Sequence, residues 1–147
     1  MVGYPTLNMR IFLLLLMATT FLTAADKKVV APKDAKPSRN FSPGILSGGT
    51  LYVSGQTGAD KTGAYPEKFE DEVKQTLANI EEILKAGGCT FADAVAVQVY
   101  LTDMEMFAQM NTVYTSIIPE PRPTRTTVGV AKLVGKARIE ITVTARK

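Results

Sequence analysis

Pro121-Arg122-Pro123-Thr124-Arg125-Thr126-Thr127-Val128-Gly129-Val130, followed by Arg138-Ile139-Glu140-Ile141-Thr142-Val143-Thr144, reads as two β-strands. Apolar and polar residues alternate in each run, the period of a strand with one face buried. The alternation predicts that Val128 and Val130, and Ile139, Ile141 and Val143, face a core, with Arg125, Thr127, Glu140 and Thr142 pointing the other way. A one-residue slip would bury the charges, so the expected register puts Arg125 and Glu140 on the same face. That pair can grip an anion beside a proton-handling group. The same pattern equally describes the solvated face of an antiparallel sheet with ordinary surface charges.

Working back toward the N-terminus, Gly44-Ile45-Leu46-Ser47 and Thr50-Leu51-Tyr52-Val53-Ser54 flank Gly48-Gly49, the signature of a β-hairpin. Gly55 to Gly63 forms a polar loop, and Pro66 leads into a helix. Phe69, Val73, Leu77, Ile80 and Leu84 make one helical stripe, and Glu67, Glu70, Asp71 and Glu72 crowd its positive N-terminal end. Gly87-Gly88 ends it. Val95, Val97, Val99 and Leu101 alternate with Ala94, Ala96, Gln98 and Tyr100 as a further strand. Asp103 suits the cap of a second helix bearing Phe107, Met110, Val113, Tyr114 and Ile117, stopped by Pro119.

The expected order is therefore β-β-α-β-α-β-β, an α+β fold with a mostly antiparallel sheet and two helices on one face. The other face would collect Tyr52, Gln98, Tyr100, Thr127, Glu140 and Thr142. Two aromatic rings on an open sheet call for a cover, and a second copy of the chain can supply it.

Composition bounds the chemistry. The chain has 147 residues, enough for one domain with a real core and too few for two. With no His and a single Cys, Cys89, it lacks the means for His general-base catalysis, His/Cys metal sites and internal disulfides. Cys89 reads as a small buried hydrophobe. A formal charge of +3, partly from lysines scattered near the N-terminus, is too small to indicate nucleic-acid binding.

Arg10 precedes an apolar run from Ile11 to Ala18, continued by Phe21-Leu22 and the small residues Thr23-Ala24-Ala25. The run is short for a membrane span and suits the h-region of a signal peptide. Residues 1–25 are thus expected to be a signal peptide cleaved after Ala24 or Ala25, giving an exported protein, periplasmic or secreted, without a stable membrane anchor. An uncleaved N-terminal anchor is the competing reading. Residues 26–40, with Lys27, Lys28, Lys33 and Lys36 among Pro and Ala, read as a flexible linker. Residues 41–147 form the domain. Asn40-Phe41-Ser42 fits a glycosylation sequon, which matters only in a eukaryotic secretory pathway.

From Phe41 to Arg146 the chain resembles the Rid family of enamine/imine deaminases, also called the YjgF family. The resemblance lies in Ser54-Gly55-Gln56, Asp60-Lys61-Thr62-Gly63, Thr76-Leu77-Ala78-Asn79-Ile80, Val99-Tyr100-Leu101-Thr102-Asp103-Met104, Met110-Asn111, Val113-Tyr114, the Pro123-x-Arg125 step and Ile139-Glu140-Ile141. None is specific alone; their order and spacing carry the likeness.

The resemblance implies a chorismate-mutase-like two-layer fold, a homotrimer and active sites in clefts between subunits. It implies that Arg125 grips a substrate carboxylate, Glu140 handles water and protons, and Ser54, Gly55 and Gln56 border the pocket. Asn111 matches a polar pocket residue. Phe41 stands where many members have tyrosine, and Thr127 replaces a frequent cysteine, so a hydroxyl stands in for a thiol.

The implied reaction is hydrolysis of a 2-imino acid, formed from its enamine, to a 2-keto acid and ammonia. No cofactor is implied, because an imine carbon is already electrophilic. The expected partners are a small imino or keto acid and further copies of the chain, with no nucleic acid. Reactive enamines of this kind arise from pyridoxal-phosphate enzymes inside cells, which sits awkwardly with export. A trimer that binds small carboxylates without turnover remains an alternative. A ribonuclease, the third reading, finds no basic stripe, His or metal set to support it.

Overall fold

The computed structural model describes residues 26–35 and 38–147, so the expected signal peptide lies outside the described residues. Among the described residues six strands form one sheet: β1 (Lys28–Val30), β2 (Gly44–Ser47), β3 (Thr50–Thr57), β4 (Ala94–Leu101), β5 (Thr124–Gly129) and β6 (Ile139–Arg146). Their spatial order is β1-β2-β3-β6-β4-β5. Helices α1 (Phe69–Ala86) and α2 (Phe107–Ile117) pack on it, giving the expected α+β arrangement. Among the described residues no helix is long and apolar enough to cross a membrane.

The local signals work as their chemistry requires. Gly48 and Gly49 turn the β2–β3 hairpin at φ +56° and +76°, a left-handed geometry that side chains with a Cβ resist. The stripe Phe69, Val73, Leu77, Ile80 and Leu84 is buried along its length. It packs with Val97, Val99, Leu101, Ile139, Ile141 and Val143 from the centre of the sheet in one core. Asp103 accepts the Glu105 N–H at 2.9 Å, capping a 3-10 turn that leads into α2. Cys89 is buried in the core, and that burial together with Asp93 pushes its thiol pKa up, the opposite of what a nucleophile needs.

Three expectations need correction. First, β5 and β6 are not neighbours. Strand β6 inserts between β3 and β4, antiparallel to both, whereas β5 runs parallel to β4 at the sheet edge. The sheet is therefore mixed. Parallel neighbours need a crossover, and α2 supplies it.

Second, the parity of β5 is the reverse of the one expected. Arg125 pairs with Val97 and Thr127 with Val99, both core residues, so Arg125 and Thr127 face the helix layer. Val128 pairs with Tyr100 on the open face and is 40 % exposed, and Val130 lies beyond the strand's end. Glu140 also pairs with Tyr100. Arg125 and Glu140 of one chain thus lie on opposite faces of the sheet. The alternation of β6 does hold: Ile139, Ile141 and Val143 are all buried.

Third, the segment read as a flexible linker begins with structure. Lys28–Val30 pairs antiparallel with Gly44–Leu46, and Val30 is buried against the core. Three residues with one inward valine give too short a period to be read from sequence.

Candidate functional site

The Arg125 side chain crosses the helix-facing side of the edge strand and lies against α2. Its guanidinium carbon sits 4.7 Å from the Tyr114 ring centroid and 5.7 Å from that of Phe107, with Nη1 4.0 Å from the Met110 sulfur. Residues 107, 110 and 114 are spaced so that one helix face presents all three. An aromatic face attracts the cation and holds its plane. Among the described residues Arg125 has no ion-pair partner, although it is only partly exposed. A planar cation held flat, with only the Met110 sulfur and no carboxylate on its fork among the described residues, is suited to receiving a carboxylate through two parallel N–H···O bonds.

Two buried hydroxyls close by, those of Tyr114 and Thr127, have no hydrogen-bond partner among the described residues. Burial pushes the Tyr114 phenol pKa up from its ordinary value, and the Arg125 and Arg122 guanidiniums offset part of the rise. The phenol therefore stays a neutral hydroxyl. Thr127 lies on the same strand face as Arg125, its hydroxyl closed to solvent, and so belongs to this cluster and not to the open face.

Glu140 occupies the other face, beside Tyr100 and opposite Thr57 of β3. The β3–β6 register shifts between Val53 and Gln56, and Gly55 sits within the irregularity. A Cβ built on Gly55 would lie 1.8 Å from Glu140 Oε1. Only a glycine lets the carboxylate lie so close to the β3 backbone. Tyr52 is 53 % exposed on the open face, and Tyr100 donates to Gln98 Oε1 at 3.0 Å there.

The remaining expected site residues are dispersed within one chain. The Ser54 hydroxyl donates to the Pro43 carbonyl at 3.0 Å. The Gln56 amide donates to the carbonyls of Ser54 and Gly55. Gln56 lines a cavity of about 710 Å³ with Pro32, Pro43, Asn79 and Ile83, and Arg125 and Glu140 do not line it. Asn111 is partly buried on α2, and Phe41 is exposed ahead of β2.

Sequence reasoning passed over two features. Phe107, Met110 and Tyr114 were read as an apolar stripe, and no period separates a stripe that packs on strands from one that also seats an arginine. Glu72 reads from sequence only as one of the carboxylates crowding the positive end of the helix. It is 0 % exposed, accepting the Arg138 backbone N–H at 2.7 Å on Oε1 and Arg138 Nε at 2.5 Å on Oε2. Arg138 Nη2 donates to the Pro66 carbonyl at 2.8 Å, and the guanidinium lies over Phe69. The available signal was position: Glu72 falls between Phe69 and Thr76 on the buried side of α1.

The sequence profile of the endoribonuclease L-PSP family matches residues 31–147. The chain is 36 % identical over 123 residues to a rat protein named 2-iminobutanoate/2-iminopropanoate deaminase, covering 82 % of this chain and 90 % of the rat protein. Its fold is similar to the crystal structure of RidA from an Antarctic Psychrobacter, with a TM-score of 0.77 and 32 % identity over 82 % of this chain and 99 % of that one. It is also similar to Escherichia coli TdcF crystallised with bound serine, with a TM-score of 0.73, 30 % identity and coverage of 82 % and 99 %.

Proposed function

This chain belongs to the endoribonuclease L-PSP family, which includes the Rid proteins, and from that premise we propose that it hydrolyses 2-imino acids to 2-keto acids and ammonia without a cofactor. The observation that carries the reading is Arg125, a guanidinium seated on Tyr114 with no carboxylate partner among the described residues. A 2-imino acid brings such a carboxylate, and its binding leaves the adjacent C=N carbon open to water. Water adds to that carbon; a proton then moves from oxygen to nitrogen, and the C–N bond breaks to release ammonia and form the ketone. Orientation and proton transfer are all the protein must supply. Glu140 is the carboxylate suited to guiding the water and relaying that proton.

Because Arg125 and Glu140 lie on opposite faces of one chain, the reading requires Glu140 from a second copy beside Arg125 of the first. We propose a homotrimer whose subunits cover one another's open faces, supported by the exposed Tyr52 and Val128 on that face. Export is also proposed, resting on Arg10 and the apolar run that follows it; N-terminal sequencing of protein from its native host checks it.

A coupled assay with an amino-acid oxidase generating imines in the presence of the purified protein tests the activity, and light scattering at micromolar concentration tests assembly. Accelerated keto-acid formation by a trimer is expected. Saturable carboxylate binding with no acceleration, or a stable monomer, overturns the reading.

Gly55→Ala supplies a sharper check. The new methyl must push the Glu140 carboxylate aside, and a flexible side chain can yield without unfolding the sheet. A reacting group displaced by about 1 Å costs on the order of 100-fold in rate. Hydrolysis should fall by that order in a variant that melts within a few degrees of the parent.

A further inference from the structure

The carboxylate of Glu72 is wholly buried, yet it does not touch the open face where Glu140 lies. Its partners are what matter. Oε1 accepts the backbone N–H of Arg138, two residues before Glu140, and Oε2 accepts Arg138 Nε. The Arg138 carbonyl in turn accepts the Thr102 N–H at 3.0 Å, joining the entry of β6 to the exit of β4. On the other side, a Cβ on Gly58 would meet Glu72 Cγ at 2.4 Å and its backbone oxygen at 2.7 Å, so the chain leaving β3 lies directly on this residue. Asn79, two turns further along α1, donates to the carbonyls of Thr57 and Ala59 at 2.9 Å each. Thr57 is the residue opposite Glu140. The strand that carries Glu140 and the β3 strand opposite it are therefore both tied to one face of α1, and Glu72 is the group that touches the entry of the first and the exit of the second.

We propose that Glu72 is a positioning residue for Glu140: by fixing the entry of β6 and seating the exit of β3, it sets where the Glu140 carboxylate stands in the cleft. This rests on the deaminase reading above. A backbone N–H bonded to an ionised carboxylate is short and strong, and so holds the strand's entry more firmly than a neutral contact would. The Arg138 guanidinium pairs with the other oxygen of that carboxylate through Nε. Arg125 lies on another strand, and neither its aromatic seat on Phe107 and Tyr114 nor its pairing with β4 involves Glu72, so substrate capture does not depend on this tie.

The test is a double-mutant cycle on the full chain in the imine assay. Glu72→Gln retains one acceptor and loses the charge, and is expected to lower kcat by about 10-fold to 100-fold with KM unchanged. On a Glu140→Gln background the same substitution should change the residual rate by less than about twofold, because its effect passes through Glu140. Equal fold losses in both backgrounds, a raised KM, or parent kcat in Glu72→Gln overturn the proposal. If Glu140→Gln itself hydrolyses imines at the parent rate, the role of Glu140 and the proposal fall together while the deaminase reading stands; no hydrolysis by the parent removes that reading as well, and a damaged Glu140→Gln with additive losses removes the proposal alone. Should Glu72→Gln fail to fold, Arg138→Lys replaces it in the cycle, with the same non-additivity required.

Discussion

Arg125→Ala is expected to lower imine hydrolysis by roughly 30-fold to 1000-fold, the loss of about 2 to 4 kcal/mol of transition-state binding when a charge-assisted carboxylate clamp is removed. The fork is held on Tyr114 with Phe107 beside it and, among the described residues, no competing carboxylate, so it stands ready for the substrate before binding. Arg125→Lys keeps the charge and gives up both the planar fork and its stacking, and should recover only part of the rate. Because Arg125 is partly exposed on an edge strand, both variants should assemble as the parent does and melt close to it. Parent-level hydrolysis by Arg125→Ala would remove Arg125 from catalysis. So would a loss of activity that tracks dissociation of the oligomer.

Arg138→Ala should be the most destabilising of the substitutions considered. It strands the Glu72 carboxylate, which is 0 % exposed and would keep only the bond from residue 138's backbone N–H. Breaking a buried pair from one side costs about 3 to 5 kcal/mol. For a domain of this size that corresponds to a melting temperature lower by roughly 10 to 25 °C. Glu72→Ala should cost less, because Arg138 is 29 % exposed at its side chain and can turn its freed charge toward water. Joint replacement by Glu72→Leu and Arg138→Met should recover much of the loss, since apolar groups of similar volume need no partner. Calorimetry of the three variants checks the order; equal losses from the two single substitutions would contradict this account of Glu72's burial.

Much of this protein was legible residue by residue. The Gly48-Gly49 turn, the α1 stripe and the alternation of β6 were readable because each is set by local geometry: a positive φ, a period near 3.6, a period of 2. The site was legible in composition only. Arg125 and Glu140 stood out as a possible clamp and proton carrier, and their types follow from chemistry that any carboxylate-bearing imine requires. What the sequence determined was therefore the elements, their order and the chemical groups available.

Tertiary structure decided where those groups face. Strand β5 is an edge strand with one neighbour, and its inward positions lie under α2, where a half-buried arginine can spread on aromatic rings; in a central strand the same position would demand an apolar side chain. Alternation fixes that successive residues point to opposite faces, but which face is the core depends on the partner strand and on what packs above it. Sequence adjacency suggested pairing β5 with β6, while burial of the inward apolar residues Ile139, Ile141 and Val143 beneath the helices is better served by β6 between β3 and β4. The burial of Glu72 was hidden for the same reason. A charge on a buried helix face is tolerated only when a partner arrives from elsewhere in the chain, and Arg138, 66 residues away, is brought to it by the fold alone.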